Sequence, residues 1–288
     1  MIPGAFDYHR PSSVSEAVEL MVNLGDDAAV LAGGHSLIPM MKLRMAQPEH
    51  LVDLQDLCEL RGIRIDGARV AIGAMTTQSE IIASSALADA CPLLRATALQ
   101  IADPQVRNKG TLGGNAANGD PGNDMPAALQ ALDATYRLQG PDGARDVKAR
   151  DYYEAAYFTA RADAEILTEI VFDAPPAGHG CCYEKQKRKI GDYATAAAAV
   201  IVTRSGDLCS SACIALTNVG DTPLYAVDAC RCLQGTRVQK SDLDAAAAAA
   251  RAITMPAADG RGPAVFRSQV AGIMVRRAVA RAFEMARG

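Results

Sequence analysis

AGGHS at residues 32–36 and TLGGN at residues 111–115 each place two adjacent glycines in a bend that is predicted to lie between a strand and a helix. Paired glycines let a backbone approach a bulky anion closely, and they tolerate the positive φ angles at which successive N–H groups point into one concavity. Either bend alone is better explained as an ordinary glycine turn. Together, the first bend (32–36) and the second bend (111–115) are what an extended diphosphate ligand requires.

The phosphate-binding motifs of the commonest nucleotide folds are missing, since neither G-x-G-x-x-G nor G-x-x-x-x-G-K-[ST] occurs. A dinucleotide on the two bends would therefore be bound outside a Rossmann fold, which favours a flavin over a nicotinamide or ATP. The pyrophosphate of FAD is expected near both bends, bound by main-chain N–H groups and by the positive end of a helix that begins near Ser36. Ser36, Thr111 and Asn115 can add side-chain hydrogen bonds.

His35 and Asp124 need separate interpretations. Some flavin oxidases attach FAD covalently through a histidine in a Gly-Gly-His setting, but we expect His35 to cap its loop or to contact phosphate, and FAD to be bound non-covalently. In the run 120–124, turn chemistry explains Asp120 and Asn123. Asp124 is expected to accept hydrogen bonds from a ligand or from neighbouring backbone. No metal site is predicted, because further ligands are missing nearby.

Hydrophobic periodicity predicts an α+β fold without the regular alternation of a doubly wound sheet. Ser13-x-x-Glu16 predicts the start of a first helix, and residues 28–54 predict a strand–helix–strand unit around the first bend. Asp66-Gly67 predicts a hairpin, and the Gly-, Asn-, Asp- and Pro-rich residues 103–125 predict a functional loop. The remaining predictions are helices at 78–87, at 92–101, after Pro126, at 225–233, 241–253 and 265–286, and strands at 135–139, 166–172, 181–187, 195–203 and 208–217.

Composition argues against several classes of function. The net charge is −4, with 29 basic and 33 acidic residues, and no basic run predicts nucleic acid as a partner. The densest one, at residues 185–189, is either a solvated strand face or an anion site. No segment of about 18 apolar residues predicts a membrane span, and no signal-peptide pattern occurs, so we expect a cytoplasmic protein.

The chain also lacks the side-chain constellations of common enzymes. Its eight cysteines match no zinc or iron–sulfur spacing and are expected to be reduced and mostly buried. Neither a Ser/His/Asp arrangement nor H-E-x-x-H is recognisable. An enzyme of this composition is expected to take its chemistry from a cofactor.

Four longer motifs extend these signals and resemble a known family. They are LAGGHSLIPMMKLRMAQPEHLVDL (31–54), IADPQVRNKGTLGGNAANGDPGNDMPAALQAL (101–132), YEKQKRKIGDYATAAAAV (183–200) and GRGPAVFRSQVAG (260–272). On these residues the whole chain is similar to the FAD-binding medium (flavoprotein) subunits of the molybdenum hydroxylases, the xanthine dehydrogenase-like family. The third motif, with IPGAFDYHRP (2–11) and RDYYEAAYFTA (150–160), points to the aerobic carbon monoxide dehydrogenase branch.

This resemblance implies a two-part FAD-binding region of the vanillyl-alcohol-oxidase (PCMH) type and a smaller C-terminal α+β domain. The implied limits are 1–57 and 58–177 for the two FAD-binding subdomains and 178–288 for the C-terminal, CO dehydrogenase flavoprotein-like domain.

The resemblance also implies site residues. By motif match, Asp124 contacts the flavin nucleotide, Tyr193 lies over one face of the isoalloxazine, and Lys185 is on the same ligand-facing segment. Related subunits carry that lysine one position earlier, where this chain has Glu184. No acid–base catalyst is implied. The residues implied to bind FAD are Ala32, Gly33, Gly34, His35, Ser36, Thr111, Leu112, Gly113, Gly114, Asn115, Asp124, Lys185 and Tyr193.

The implied function is electron transfer within a complex that oxidises CO with water to CO2. A large partner subunit would hold the molybdenum–copper cofactor, and a small partner subunit would hold two [2Fe–2S] clusters. This chain would receive electrons from the clusters through FAD and pass them to an external acceptor, expected to be a quinone. The assembly is expected to be a dimer of heterotrimers (a heterohexamer) that is cytoplasmic, or peripheral at the inner face of the cytoplasmic membrane, and that binds no nucleic acid.

Three alternatives remain open from the sequence. The chain could be the flavin subunit of another molybdenum hydroxylase that acts on an N-heterocycle or an aldehyde. It could be a stand-alone flavin oxidase, although no base near the flavin is identifiable. It could also be a non-catalytic scaffold subunit that has lost its cofactor.

Overall fold

The computed structural model describes residues 2–287 and begins with a small parallel sheet. The sheet has the order β1-β3-β2 and contains β1 (Asp7–His9), β2 (Ala28–Leu31) and β3 (His50–Asp53). Helix α1 (Val14–Leu24) joins β1 to β2, and α2 (Leu37–Lys42) joins β2 to β3. The Ser13 hydroxyl accepts a hydrogen bond from the Glu16 N–H at the start of α1, as the sequence predicts. The first bend therefore connects β2 to α2.

A five-stranded antiparallel sheet forms the middle of the chain, with the order β4-β5-β10-β6-β7. Six short helices and a small hairpin surround it, and together with the sheet they enclose the largest apolar core. The strands are β4 (Ile63–Asp66), β5 (Arg69–Gly73), β6 (Thr135–Gly140), β7 (Gly143–Lys148), β8 (Tyr153–Ala155), β9 (Phe158–Thr159) and β10 (Ile166–Asp173). The helices are α3 (Gln78–Ala83), α4 (Ser85–Ala90), α5 (Pro92–Ala98), α6 (Pro104–Lys109), α7 (Leu112–Ala117) and α8 (Met125–Ala131).

The C-terminal part is a four-stranded antiparallel sheet with three helices. The strands are β11 (Gly180–Gln186), β12 (Ala196–Ser205), β13 (Leu208–Thr217) and β14 (Leu224–Tyr225), and the helices are α9 (Val227–Leu233), α10 (Lys240–Ala252) and α11 (Ala264–Met285). Its strand β12 is buried on both faces. Ala197, Ala199 and Ile201 pack into the core of the middle sheet and its helices. Ala196, Ala198 and Val200 pack against the C-terminal helices. Because strand side chains alternate between faces, the alanine run lets helices approach from both sides.

The α+β class and most of the predicted elements are confirmed. Three differences stand out. The single helix predicted at 78–87 is two helices, α3 and α4, separated at Ser84, which caps α4 with its hydroxyl. The predicted loop 103–125 contains α6 and α7, so the second bend follows a helix and begins the next one. Strands β1, β7, β8, β9 and β14 were not predicted, and none of their residues is buried.

The structure also bears on the expectations for the cysteines and for membrane-spanning helices. All eight cysteines are free, as expected, but only Cys91, Cys181 and Cys209 are buried, and Cys58 is exposed. Within residues 2–287, no helix has the length and apolar character needed to cross a membrane.

Candidate functional site: a cavity between two glycine bends

The two bends touch each other, although they are distant in sequence. A Cβ at Gly33 would overlap the carbonyl oxygen of Lys109 and would lie 2.8 Å from the Cα of Gly110. A Cβ at Gly114 would lie 3.4 Å from the Cβ of Ala32. Gly33 is therefore required for the backbones around the two bends to meet, which differs from the expected role of leaving space for an anion.

The first bend presents free main-chain donors. Among the described residues, the N–H groups of Gly33, Gly34, His35 and Ser36 donate to no protein acceptor. Gly34 adopts φ +72°, a conformation that glycine reaches at little cost. His35 Nδ1 donates to the carbonyl of Gly33 at 2.7 Å, so the ring caps its own loop. Successive free N–H groups of this kind form an anion-binding concavity. Since α2 has only six residues, we attribute the anion-binding character of this bend to the free amides and not to a helix dipole.

The second bend does not offer the amides of residues 112–115, and here the structure differs from the expectation from the sequence. Leu112 N–H donates to Thr76 O at 2.9 Å, and Gly113 N–H donates to Ala74 O at 2.8 Å. The two amides that follow, of Gly114 and Asn115, donate to the hydroxyl and the carbonyl of Thr111 at 3.0 and 3.1 Å. These N–H groups are satisfied because the bend is the first turn of α7. The remaining donors of this bend are its side chains and the N–H group of Thr111, which donates to no acceptor among residues 2–287.

A cavity of about 620 Å³ opens between the bends, within the usual range of about 300–1,000 Å³ for ligand pockets. Twelve of the thirteen predicted site residues line it, and the exception is Leu112, whose side chain is fully buried in the core. Those twelve are Ala32, Gly33, Gly34, His35, Ser36, Thr111, Gly113, Gly114, Asn115, Asp124, Lys185 and Tyr193. The volume and the free amides of the first bend fit a dinucleotide such as FAD.

Asp124 and Lys185 form a buried ion pair in the wall of this cavity. The Nζ of Lys185 lies 2.7 Å from Oδ2 of Asp124, and the two side chains are 1% and 5% exposed. Tyr183 OH donates to Oδ1 of Asp124 at 2.6 Å. Burial raises the pKa of the Asp124 carboxyl, although Lys185 and Tyr183 both oppose that shift. Asp124 therefore accepts hydrogen bonds from side chains of β11, whereas the sequence predicted backbone or ligand donors.

Strand alternation explains the orientation of β11. Tyr183 and Lys185 are two residues apart and point to the same face, toward Asp124. Glu184 points to the opposite face, where it pairs with Arg281 of α11. Position 185 therefore places the lysine in the cavity wall in this chain. Because Lys185 is buried and paired with Asp124, the basic cluster at residues 185–189 is neither a uniformly solvated strand face nor a single anion-binding site.

Tyr193 lies on the loop that joins β11 to β12 and lines the cavity while 43% exposed. A Cβ at Gly122 would lie 2.7 Å from Cδ1 of Tyr193, so the glycine leaves room for the ring. The guanidinium carbon of Arg261 is 5.7 Å from the ring centroid. Partial burial and the nearby Asp120 carboxylate raise the pKa of the Tyr193 phenol further above neutral pH.

Several residues of the site were missed by sequence reasoning. Tyr183 was identifiable in principle, because it lies two positions before Lys185 on a predicted strand. Arg161, Asp163 and Glu165 also line the cavity. They precede β10 in an irregular segment, and no local pattern predicts that this segment reaches the bends.

Comparisons with known proteins agree with this geometry. Residues 4–174 match the family described as the FAD binding domain in molybdopterin dehydrogenase, and residues 181–282 match the CO dehydrogenase flavoprotein C-terminal domain. The chain belongs to the FAD-binding subunits of the molybdopterin dehydrogenases. The family implied by the motifs, and a fold made of an FAD-binding region and a C-terminal domain, are thereby confirmed.

Individual members of the family differ in their similarity to this chain. It is 62% identical over 282 residues to the carbon monoxide dehydrogenase medium chain of Afipia carboxidovorans, with 98% of each chain covered. It is 35% identical over 288 residues to the 6-hydroxypseudooxynicotine dehydrogenase complex subunit alpha of Paenarthrobacter nicotinovorans, covering 100% of this chain and 97% of the relative. Among solved structures, reconstituted CO dehydrogenase from Oligotropha carboxidovorans contains a chain with a TM-score of 0.98 and 62% identity, covering 99% of this chain and 100% of that one.

Proposed function

We propose that this chain is the FAD-carrying electron-transfer subunit of an aerobic carbon monoxide dehydrogenase. The observation that carries the proposal is its 62% identity, over almost its whole length, to a carbon monoxide dehydrogenase medium chain. Identity to a member named for a different substrate is 35%. The same observation argues against the alternative in which the complex hydroxylates an N-heterocycle or oxidises an aldehyde.

FAD would supply the redox chemistry, accepting and releasing electrons one or two at a time. The chain's own residues would bind and orient it. The N–H groups of Gly33, Gly34, His35 and Ser36, which have no protein acceptor among residues 2–287, would bind the pyrophosphate. Thr111 and Asn115 can add side-chain hydrogen bonds from the second bend, in which the N–H groups of residues 112–115 are already used.

Lys185, Asp124 and Tyr193 would form the far wall of the FAD site. The Lys185–Asp124 pair fixes β11 against the middle of the chain and presents polar atoms to the cavity. Tyr193 would cover one face of the isoalloxazine, since its ring lines the cavity and is held between Gly122 and Arg261. None of these groups needs to transfer a proton for the chain to conduct electrons.

The partners proposed are a large molybdenum–copper subunit and a small subunit with two [2Fe–2S] clusters, in a dimer of heterotrimers. A quinone is the proposed acceptor, which would place the complex in the cytoplasm or at the inner face of the cytoplasmic membrane. We further propose domain limits at 57/58 and 177/178, because each of the four sheets described above lies within one of the resulting segments.

The test is purification of the native complex, acid precipitation, identification of the released flavin and an assay of CO oxidation with a dye acceptor. We expect FAD in the supernatant and CO-dependent dye reduction. Flavin that stays on the pellet would contradict non-covalent binding and point to attachment at His35. Oxidation of an aldehyde or N-heterocycle without CO oxidation would contradict the assignment to carbon monoxide dehydrogenase. A complex without flavin absorbance would indicate a scaffold subunit.

A further inference from the structure

Two polar atoms in the cavity wall are buried and have no hydrogen-bond partner among residues 2–287. They are Oε1 of Gln78 and Nδ2 of Asn118, and both residues line the cavity. Neither residue belongs to the set implied by the sequence motifs. Buried polar groups in folded proteins nearly always have a partner, and because these two residues also line the cavity, a molecule bound there can supply the missing one.

The orientation of the Gln78 side chain is fixed by its neighbours. The side chain is 1% exposed, and its Nε2 donates to the carbonyl of Thr111 at 3.3 Å. The backbone N–H of Gln78 donates to the carbonyl of Gly110 at 2.9 Å. A carbonyl oxygen only accepts hydrogen bonds, so the amide nitrogen must face Thr111 and Oε1 must be the atom without a partner. Since Gly110 also contacts Gly33, Gln78 lies beside both bends.

Asn118 offers the opposite polarity at the other end of α7. It is the C-cap of that helix, and its backbone N–H donates to Gly114 O at 3.3 Å. Its buried Nδ2 is a donor without an acceptor. The cavity wall therefore has one unpaired acceptor and one unpaired donor, one at each end of the segment that contains the second bend.

We propose that Gln78 and Asn118 are further FAD-binding residues, a proposal that rests on the function proposed above. Gln78 Oε1 accepts a hydrogen bond from an O–H or N–H of the nucleotide, and Asn118 Nδ2 donates one to an oxygen or nitrogen of the same molecule.

Because Gln78 Oε1 can only accept a hydrogen bond, it restricts which part of FAD this side chain can contact. Phosphodiester oxygens carry no proton at neutral pH, so the pyrophosphate cannot donate to Oε1. The partner of Gln78 is a sugar or ribityl hydroxyl, the adenine amino group or the N–H of the isoalloxazine. The amides of the first bend and the Gln78 side chain thus recognise different parts of one ligand.

Gln130 provides a matched control. It is a second buried glutamine, 3% exposed, whose Nε2 donates to the carbonyl of Ala149 at 3.3 Å and whose Oε1 has no partner. It differs from Gln78 in that it does not line the cavity. Gln78→Met and Gln130→Met therefore remove the same groups from similar surroundings, and only the first change faces FAD.

The experiment titrates FAD into the flavin-free complex and follows flavin fluorescence, together with the melting temperature of the flavin-free complex. Loss of one net hydrogen bond predicts about three- to tenfold weaker FAD binding for Gln78→Met. Gln130→Met should bind FAD with the wild-type dissociation constant, while both variants lower the melting temperature by similar amounts. Asn118→Asp, which replaces the donor by an acceptor, should also weaken FAD binding.

Wild-type FAD affinity in Gln78→Met would overturn the proposal, since it would mean that water satisfies Oε1. An equal loss of affinity in Gln130→Met would also overturn it, because the effect would then be structural. If Gln78→Met fails to assemble, Asn118→Asp decides the question, and wild-type affinity in that variant overturns the proposal. A wild-type complex that binds no FAD would instead refute the proposed function.

Discussion

Replacing Lys185 with methionine should destabilise the chain by about 3–5 kcal/mol, because the Asp124 carboxylate would be left buried without its cation. Three features of the structure set this magnitude. The two charges are 2.7 Å apart and the side chains are 1% and 5% exposed. Lys185 also donates to the carbonyl of Gln100 at 3.2 Å, which would lose this donor. Within residues 2–287, Tyr183 would remain as the only side chain that donates to the carboxylate.

The pH dependence of this loss has a definite sign. Burial already raises the pKa of Asp124 in the folded chain, and removal of the neighbouring ammonium raises it further. A carboxyl with a raised pKa in the folded state binds more protons than in the unfolded state, so the free energy of unfolding increases as the pH falls. The variant should therefore recover part of its stability as Asp124 becomes protonated.

A surface pair with the same separation provides the control. Lys240 and Asp244 are also 2.7 Å apart, but they lie on the exposed face of α10 with 84% and 39% of their side chains accessible. Exposed pairs of this kind contribute little to stability. Lys240→Met should therefore be indistinguishable from the unmodified chain.

Urea unfolding followed by circular dichroism measures both effects, since the chain has no tryptophan to serve as a fluorescent probe. The experiment is run without FAD, so that lost cofactor contacts do not contribute. The double variant Asp124→Asn/Lys185→Met should be more stable than Lys185→Met alone, because it removes the unpaired charge. Equal losses for Lys185→Met and Lys240→Met would refute the reasoning that burial determines the effect.

Three further changes test other parts of the site. Gly33→Ala should weaken FAD binding and lower the free energy of unfolding by about 1–3 kcal/mol, because the new Cβ would overlap the backbone that leads into the second bend. The control is Gly4→Ala, whose Cβ would meet no atom within 4 Å. Equal melting temperatures for the two variants would contradict the predicted overlap at Gly33. The Arg145 guanidinium lowers the pKa of Glu165 below its ordinary value of 4.5, so this stabilisation is present above pH 4.5 and is lost as the pH falls through the lowered pKa. Glu165→Gln should therefore flatten the acid side of the stability–pH curve, and parallel curves would argue against the pair. Tyr193→Ala should alter the flavin spectrum or its rate of reoxidation while FAD stays bound; no change in either would count against a role over the isoalloxazine.

The sequence predicts the fold well where the signal is local. The strand–helix–strand unit around the first bend depends on hydrophobic runs and on glycines at the turn, and these are visible in the residues themselves. The hairpin at Asp66-Gly67 follows from turn chemistry in the same way. The helices α6 and α7 were missed because their few apolar residues give no clear periodicity; capping by Asp103 and Thr111 defines where they start.

The site is less predictable, because its chemistry depends on contacts between distant segments. Both glycine doublets line one cavity, yet their free amides could not be counted from the sequence. Thr111, which begins α7, accepts two of the second bend's hydrogen bonds, and backbone carbonyls of residues 74–76 accept two more. Likewise, the partner of Asp124 depends on which face of β11 meets the middle of the chain, and Gln78 lies beside the cavity through its contacts with the distant residues Gly110 and Thr111.

The most direct test of the central claim is an experimental structure of the complex with FAD bound. The account predicts pyrophosphate oxygens within hydrogen-bond distance, about 2.7–3.2 Å, of the N–H groups of residues 33–36. Phosphates bound elsewhere in the chain, with those four amides facing solvent or protein, would contradict it.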